Sequence, residues 1–216
     1  MRRLIANLCL GLAACGGSAS PDGGDASADL DQDNAPGVYG MAPAISGFVP
    51  AVVTLRPLDE DTPINSSAPA SMHPNPKIDQ FGLAFSPTLL VVAAGESVAF
   101  TNSEGALAHN VHVRRLADGE SLLNEDANSG DEVALVLSEP GGYDILCDMH
   151  PGMNAFVFAS DAPYAVFAES DGSFALGEIP LGDYEVRVWT ADEGFDEPVT
   201  VSVTEGRLDL DLQSSH

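Results

Sequence analysis

Basic residues are scarce in this sequence of 216 residues. It contains 8 Lys and Arg against 33 Asp and Glu, which gives a formal net charge of −25 at pH 7. A chain this acidic repels phosphate groups and anionic lipid headgroups. The composition therefore excludes sequence-independent binding of nucleic acid, and no nucleic-acid partner is expected.

Helical periodicity is absent, and aromatic residues are few. Aromatics make up 6% of the chain, while 21 Gly and 15 Pro favour strands and turns over long helices. Apolar and polar residues alternate in segments such as Tyr184-Glu-Val-Arg-Val188 and Leu208-Asp-Leu-Asp-Leu212. A period of two is typical of half-buried β-strands. The pattern predicts an all-β protein built from short strands, as in β-sandwiches.

The apolar run at the start of the chain is too short to span a bilayer. It covers residues 4–14 and follows two arginines, whereas a spanning helix needs about 20 apolar residues. These features predict a signal peptide over residues 1–14. The junction Leu-Ala-Ala-Cys15-Gly resembles the lipobox of bacterial lipoproteins, which implies a membrane anchor at Cys15 in the cell envelope, facing the periplasm or the cell surface. The alternative is an ordinary secretory signal that is cut before Pro21.

Residues 15–37 are predicted to form an acidic, flexible tether. The segment holds five Asp, much Gly, Ser and Ala, and Leu30 as its one large apolar residue. Such a composition cannot bury enough apolar surface to offset the entropy of ordering the chain. The tether would hold the folded part of the protein away from the membrane.

Cysteine is rare, and its placement is informative. Of three cysteines, Cys9 leaves with the signal peptide and Cys15 would carry lipid, so Cys147 remains alone in the folded part. Exported proteins normally pair their cysteines in disulfides. An unpaired Cys147 therefore indicates a partner on another chain, a reactive thiol or a metal ligand.

The segment that begins at Cys147 collects side chains that bind metals. The sequence Cys-Asp-Met-His-Pro-Gly-Met places Cys147, His150 and Met153 within seven residues, and a further imidazole, His109, lies upstream. Two His, one Cys and a weak axial Met form the ligand set of blue copper electron-transfer centres. The residue types therefore predict a copper site.

Two segments together resemble the cupredoxins of the plastocyanin and amicyanin type. The upstream segment is Phe85-Ser-Pro-Thr-Leu-Leu-Val-Val-Ala-Ala-Gly-Glu-Ser-Val-Ala-Phe-Thr-Asn102 followed by His109-Asn110, and the downstream one is the Cys-x₂-His-x₂-Met loop in its short, amicyanin form. The resemblance covers residues 77–160 and implies a cupredoxin domain with a Greek-key β-sandwich fold. The acidic stretch 116–132 departs from amicyanin, which makes a surface analogy unsafe.

The resemblance also implies roles for individual residues. One type 1 copper, cycling between Cu(I) and Cu(II), would be held by His109, Cys147, His150 and Met153. Asn110 would tie the first ligand strand to the cysteine loop, a supporting role outside the ligand set.

Two nearby side chains compete for these roles. Positions three apart in a strand face opposite sides, so His109 and His112 cannot both bind one ion, and the Asn110 neighbour favours His109. Met149 lies between the cysteine and the histidine of the loop, and we expect it to pack as an ordinary apolar side chain.

The C-terminal segment resembles a second family. Residues 163–189 are similar to carboxypeptidase regulatory-like domains, which are small transthyretin-like β-sandwiches. They look like the later strands of such a domain, here residues 161–213, with the first strands missing. The apolar run 45–55 is otherwise unassigned. We predict a split sandwich whose first strands lie in residues 38–58, with the cupredoxin domain inserted between its halves.

Together these features predict an exported blue copper protein that carries single electrons and is not an enzyme. Multicopper enzymes need further histidine clusters, and five His in all are too few. The expected partners are redox proteins, at least one with a basic surface, and the membrane through the lipid anchor. Two alternatives stay open: a copper-binding or delivery protein without a redox partner, and an adhesion or scaffold module.

Overall fold

The computed structural model describes residues 37–44, 48–65 and 75–213. The signal peptide, the tether up to residue 36 and the lipid site Cys15 lie outside these ranges and stay predictions. Within the described ranges, no helix is long and apolar enough to cross a membrane.

Every regular element of the described chain is a β-strand. The strands are β1 (Gly37–Met41), β2 (Val52–Pro57), β3 (Lys77–Phe81), β4 (Ala84–Ser86), β5 (Leu89–Ala93), β6 (Ser97–Asn102), β7 (His109–Arg115), β8 (Ser121–Ala127), β9 (Glu132–Val136), β10 (Gly141–Leu146), β11 (Asn154–Ser160), β12 (Tyr164–Phe167), β13 (Ser173–Gly177), β14 (Gly182–Thr190), β15 (Gly194–Phe195), β16 (Val199–Val203) and β17 (Arg207–Asp211). The all-β fold predicted from the alternation is confirmed.

Strands β3 to β11 form the first sandwich. One sheet has the order β5-β11-β10-β7-β8 and the other the order β4-β3-β6-β9. Alternate residues of each strand fill the space between them: in β10, Tyr143 and Ile145 are buried in this core, whereas Asp144 between them is not part of it. The apolar alternation in the sequence is therefore the reason that these segments pack as two layers.

The second sandwich is assembled from both ends of the chain. Its sheets have the orders β12-β2-β14-β15, with β16 also pairing β14, and β13-β1-β17. Leu55 of β2 lies opposite Tyr164 of β12 on one side and Val186 of β14 on the other. Strand β1 likewise lies between β13 and β17. Strands β1 and β2 are thus central in the two sheets of the second sandwich. In the sequence, the strands of the first sandwich lie between β2 and the strands that pair with β1 and β2.

The two sandwiches pack face to face around Trp189 of β14. Its ring stacks on Phe156 of β11 at 5.6 Å between centroids and contacts Phe158 at 5.3 Å. A Cβ atom at Gly142 of β10 would lie 2.4 Å from the Trp189 ring, so glycine is required for this close approach. Three apolar cores therefore separate four stacked sheets.

Candidate metal centre

Three of the side chains predicted to bind a metal meet at one end of the first sandwich. The loop between β10 and β11 closes on itself, because the Cys147 N–H donates to the Met153 carbonyl (3.2 Å) and the Met153 N–H donates to the His150 carbonyl (3.1 Å). Strand β7 runs antiparallel beside β10, with Leu146 opposite His112. This pairing brings His109, the first residue of β7, to the loop.

Three donor atoms converge at this point. His109 Nδ1 lies 3.0 Å from His150 Nδ1, and Cys147 Sγ lies 3.8 Å from the former nitrogen and 3.6 Å from the latter. Metal–nitrogen bonds of about 2.0–2.1 Å and metal–sulfur bonds of about 2.3 Å place donors around one ion roughly 3–4 Å apart. The arrangement fits a single metal ion. In the described part of the chain, these three residues are the one such group of His, Cys, Asp and Glu.

The burial of these residues is graded. His109, Cys147 and Met153 are buried, whereas His150 is half-buried and reaches the surface. Burial, together with the nearby His150, lowers the pKa of His109 below its ordinary value. The neutral imidazole, which is the form that binds metals, is therefore favoured at His109.

The competing side chains lie elsewhere. His112 points away from the three donors and pairs with Asp148 at 3.0 Å, as expected for a residue three positions from His109 in a strand. Met149 is 45% exposed. The expectation that Met149 packs as an ordinary apolar side chain does not hold, because its position in the loop faces solvent.

Asn110 joins β7 to the cysteine loop through several hydrogen bonds. Its Oδ1 accepts the N–H of Asp148 at 2.7 Å and that of Met149 at 3.3 Å. Its Nδ2 donates to Asn124 Oδ1 at 2.8 Å, and its carbonyl accepts from Gln80 Nε2 at 3.0 Å. The residue after His109 therefore fixes the backbone directly after Cys147.

Asn102, which ends β6, holds the loop that leads to His109. Its Nδ2 donates to the carbonyls of Leu107 (2.9 Å) and Ala127 (2.8 Å), and its Oδ1 accepts the N–H of Glu104 (2.8 Å). Reasoning from the sequence gave Asn102 no role. A buried amide at a strand end is recognisable only once its carbonyl partners are known.

Comparison with known proteins identifies the family. Residues 72–159 match the family described as copper binding proteins, plastocyanin/azurin family. Plastocyanin of Ulva prolifera is 36% identical over 81 residues, which cover 34% of this chain and 82% of that protein. Plastocyanin A/B of Petroselinum crispum is 32% identical over the same length and coverage.

Solved structures of the same type were also found. A purple cupredoxin from Nitrosopumilus maritimus is 26% identical, with a TM-score of 0.35 over 40% of this chain and 100% of that chain. Amicyanin from Paracoccus versutus is 21% identical, with a TM-score of 0.37 over 50% of this chain and 98% of that chain.

Strands β3 to β11 form a cupredoxin domain. The chain belongs to the plastocyanin/azurin family of copper-binding proteins, and its cofactor is copper. The family match ends at residue 159, so the resemblance of residues 163–189 to carboxypeptidase regulatory-like domains stays a prediction.

Proposed function

We propose that the protein is an exported type 1 copper protein that carries one electron at a time between redox partners. The observation that carries the proposal is the convergence of His109 Nδ1, Cys147 Sγ and His150 Nδ1 within 3.0–3.8 Å of one another. Two imidazoles and one thiolate are the equatorial set of blue copper centres. The copper supplies a reversible Cu(I)/Cu(II) couple.

Each residue has a distinct role in this proposal. Cys147 would hold the copper through its thiolate, and His109 and His150 would hold it through their Nδ1 atoms. Met153, kept in the loop by its backbone hydrogen bonds, would be a weaker fourth ligand that helps to set the potential. Because the loop is already closed by hydrogen bonds, the donors need little movement between oxidation states. A site whose donor atoms move little when the copper changes oxidation state favours electron transfer over substrate chemistry. In this proposal the protein is therefore an electron carrier and not an enzyme.

The half-buried His150 is the proposed port for electrons. The other donors are buried in the end of the sandwich, so the edge of the His150 ring is their shortest connection to the surface. A partner that docks over the loop would contact this edge first.

Charge supports a basic surface on at least one partner. The chain has 33 acidic and eight basic residues, and five of the acidic residues and two arginines lie before residue 37. The described ranges therefore hold 28 acidic and six basic residues. Four of those six are arginines in ion pairs: Arg56, Arg114, Arg115 and Arg207. The uncompensated field is negative and steers a basic partner toward the protein.

The proposed location is the bacterial cell envelope, with attachment through lipid at Cys15. The support is the short apolar leader, the lipobox-like junction and the acidic segment after it. Two acyl chains bind a membrane stably, whereas one is marginal. The Cys15→Ser variant should accumulate as unprocessed precursor or be released in soluble form, as judged by fractionation. A mature N-terminus downstream of Cys15 without lipid, found by mass spectrometry, would contradict the anchor.

The absorption spectrum after addition of Cu(II) tests the electron-transfer proposal. We expect an intense blue band from thiolate-to-copper charge transfer in the native protein. Cys147→Ser should remove it, because an alcohol oxygen is a poor soft donor. Met149→Leu is the matched control, since it changes an exposed sulfur-containing residue of the same loop. A native protein that binds Cu(II) but stays colourless would favour copper delivery instead.

A further inference from the structure

A second group of hydrogen bonds holds the ligand loop, in addition to those of Asn110. The Asp148 carboxylate, directly after Cys147, lies with its two oxygens 3.1 and 3.0 Å from His112 Nδ1. Asn124 Nδ2 donates to Asp148 Oδ2 at 3.0 Å. His112 Nε2 lies 3.0 Å from Ser121 Oγ. We call His112, Ser121, Asn124 and Asp148 the loop latch.

From this arrangement we infer that His112 is a positioning residue: through Asp148 it holds the Cys147–Met153 loop in its ligating arrangement before copper binds. The inference deepens the proposed function and rests on it. His112 does not touch the metal donors, so its effect is transmitted through the hydrogen-bonded carboxylate.

The latch connects two strands to the loop. His112 belongs to β7, and Ser121 and Asn124 belong to β8, which pairs with β7. Both strands are fixed in the sheet, whereas the loop has no strand partner of its own. Two side chains of these strands, His112 and Asn124, therefore hold the carboxylate of the loop, and the adjacent Cys147 is held with it.

The latch also orients Asn110. The amide of Asn110 accepts two loop N–H groups through Oδ1 only if its Nδ2 points the other way, and there it donates to Asp148 Oδ2 at 3.2 Å and to Asn124. If the bond from His112 to Asp148 were removed, the Asn110 amide would also lose a fixed partner, because Asp148 would be free to move. Partners of this kind, outside the ligand set, alter metal affinity by about 10–100-fold when removed.

The imidazole of this pair is half-buried, whereas the carboxylate is exposed. The His112 side chain is 18% exposed and that of Asp148 is 51% exposed. A hydrogen bond to a charged group that is partly shielded from water is stronger than a fully exposed ion pair.

The first test uses copper-free protein and amide hydrogen exchange at Asp148 and Met149. His112→Leu should speed their exchange by about tenfold, the effect of losing one hydrogen bond to a charged group. His112→Asn should restore slow exchange, because the amide nitrogen of Asn occupies the place of His Nδ1. Ser121→Ala, which removes only the outer partner, should give an intermediate rate and provides the test if His112→Leu does not fold.

The matched control is Arg114→Ala. Arg114 lies two residues further along β7 on the same face and pairs with Asp144 of β10 at 3.1 Å, away from the loop. It should leave exchange at Asp148 and Met149 unchanged.

The second readout is copper release to a chelator from loaded protein. His112→Leu should release copper about 10–100-fold faster than the native protein, and His112→Asn should not. The inference would be overturned if amide exchange were as slow in His112→Leu as in the native protein. It would also be overturned if His112→Asn or Arg114→Ala changed exchange and copper release as much as His112→Leu does. Failure of the proposed function is seen separately, as a colourless native protein with bound Cu(II).

Discussion

Met153 is the proposed ligand that can be changed with least effect on the other three. It is 4% exposed and its place in the loop is fixed by backbone atoms. Met153→Leu nearly conserves volume, so the packing cost should stay below about 1.5 kcal/mol. We expect the blue colour to persist and the reduction potential to shift, because the axial ligand tunes the potential.

Potentiometric titration followed by absorption tests this expectation. Met149→Leu, which changes the exposed methionine of the same loop, is the control and should leave the potential unchanged. Loss of colour in Met153→Leu would mean that Met153 holds the equatorial donors in place as well.

At this scale the sequence pointed to three side chains that the structure brings together, those of His109, Cys147 and His150, and the role of Met153 stays a prediction. The residue types and spacing of Cys147, His150 and Met153 are visible in one short segment, and His109 is marked by the asparagine after it. The partner of His112 was not predictable, since the pairing of β7 with β8 decides which residues surround Asp148. A hydrogen-bond network between distant segments leaves no local pattern.

Strands β3 and β6 are joined by a carboxylate whose protonation should affect stability. Asp79 of β3 lies opposite Thr101 of β6, and its Oδ1 accepts from the hydroxyls of Thr101 (2.7 Å) and Ser103 (2.8 Å). Partial burial acts to raise the pKa of Asp79, but these hydrogen bonds and the positive charge of Lys77 together outweigh it, and the net pKa lies below the ordinary 3.8.

The sign of the resulting pH dependence follows from that lowered pKa. The folded protein favours the ionised form, so Asp79 contributes stability above the unfolded pKa and loses it as the pH falls through the folded pKa. We expect the native protein to exceed Asp79→Asn in free energy of unfolding at pH 6, and the difference to shrink as the pH falls below the ordinary pKa of 3.8. Urea denaturation of copper-free protein at several pH values measures it.

Thr101→Val provides the second arm of the same experiment. It removes one donor to the carboxylate, so the pH-dependent difference between native protein and Asp79→Asn should shrink in this background. An unchanged difference would mean that the hydrogen bond from Thr101 does not stabilise the ionised form.

Strand alternation made most elements predictable, with one clear exception. The runs that contain Val186 and Leu210 became β14 and β17, because period two is readable wherever one face is buried and the other is polar. The acidic stretch 116–132 gives no clear strand signal in the sequence, yet it contains β8, Ser121–Ala127. This strand lies at the edge of its sheet and is mostly exposed or half-buried, so its residues show little apolar alternation.

Trp189 packs between the two sandwiches, and we predict that it couples their unfolding. It is 5% exposed and packs on Phe156 and Phe158 of the other sandwich. Trp189→Ala should cost about 3–5 kcal/mol and split thermal unfolding into two transitions, as measured by calorimetry. The blue colour should survive the first transition, because the interface contacts β10 at Gly142, at the opposite end of that strand from Cys147.

Phe48→Ala is the control for this variant. Phe48 is 45% exposed, so its truncation removes an aromatic ring without opening a buried interface. A single transition in Trp189→Ala, as in the control, would show that the sandwiches are coupled by other contacts.

The central position of β1 and β2 has a consequence for how the molecule is made. These two strands leave the ribosome before the strands that pair with them. Leu55 pairs with Tyr164, and Val38 pairs with Leu208, and both partners are synthesised much later. The copper-binding half emerges in between and has all of its own partners early, so it is able to fold while the other half is still open. Strand β2 presents an unpaired edge until β14 is synthesised, and β1 presents one until β17 is synthesised. Unpaired edges are the surfaces that chaperones bind and at which chains aggregate. The nascent chain is therefore most vulnerable outside its copper-binding half.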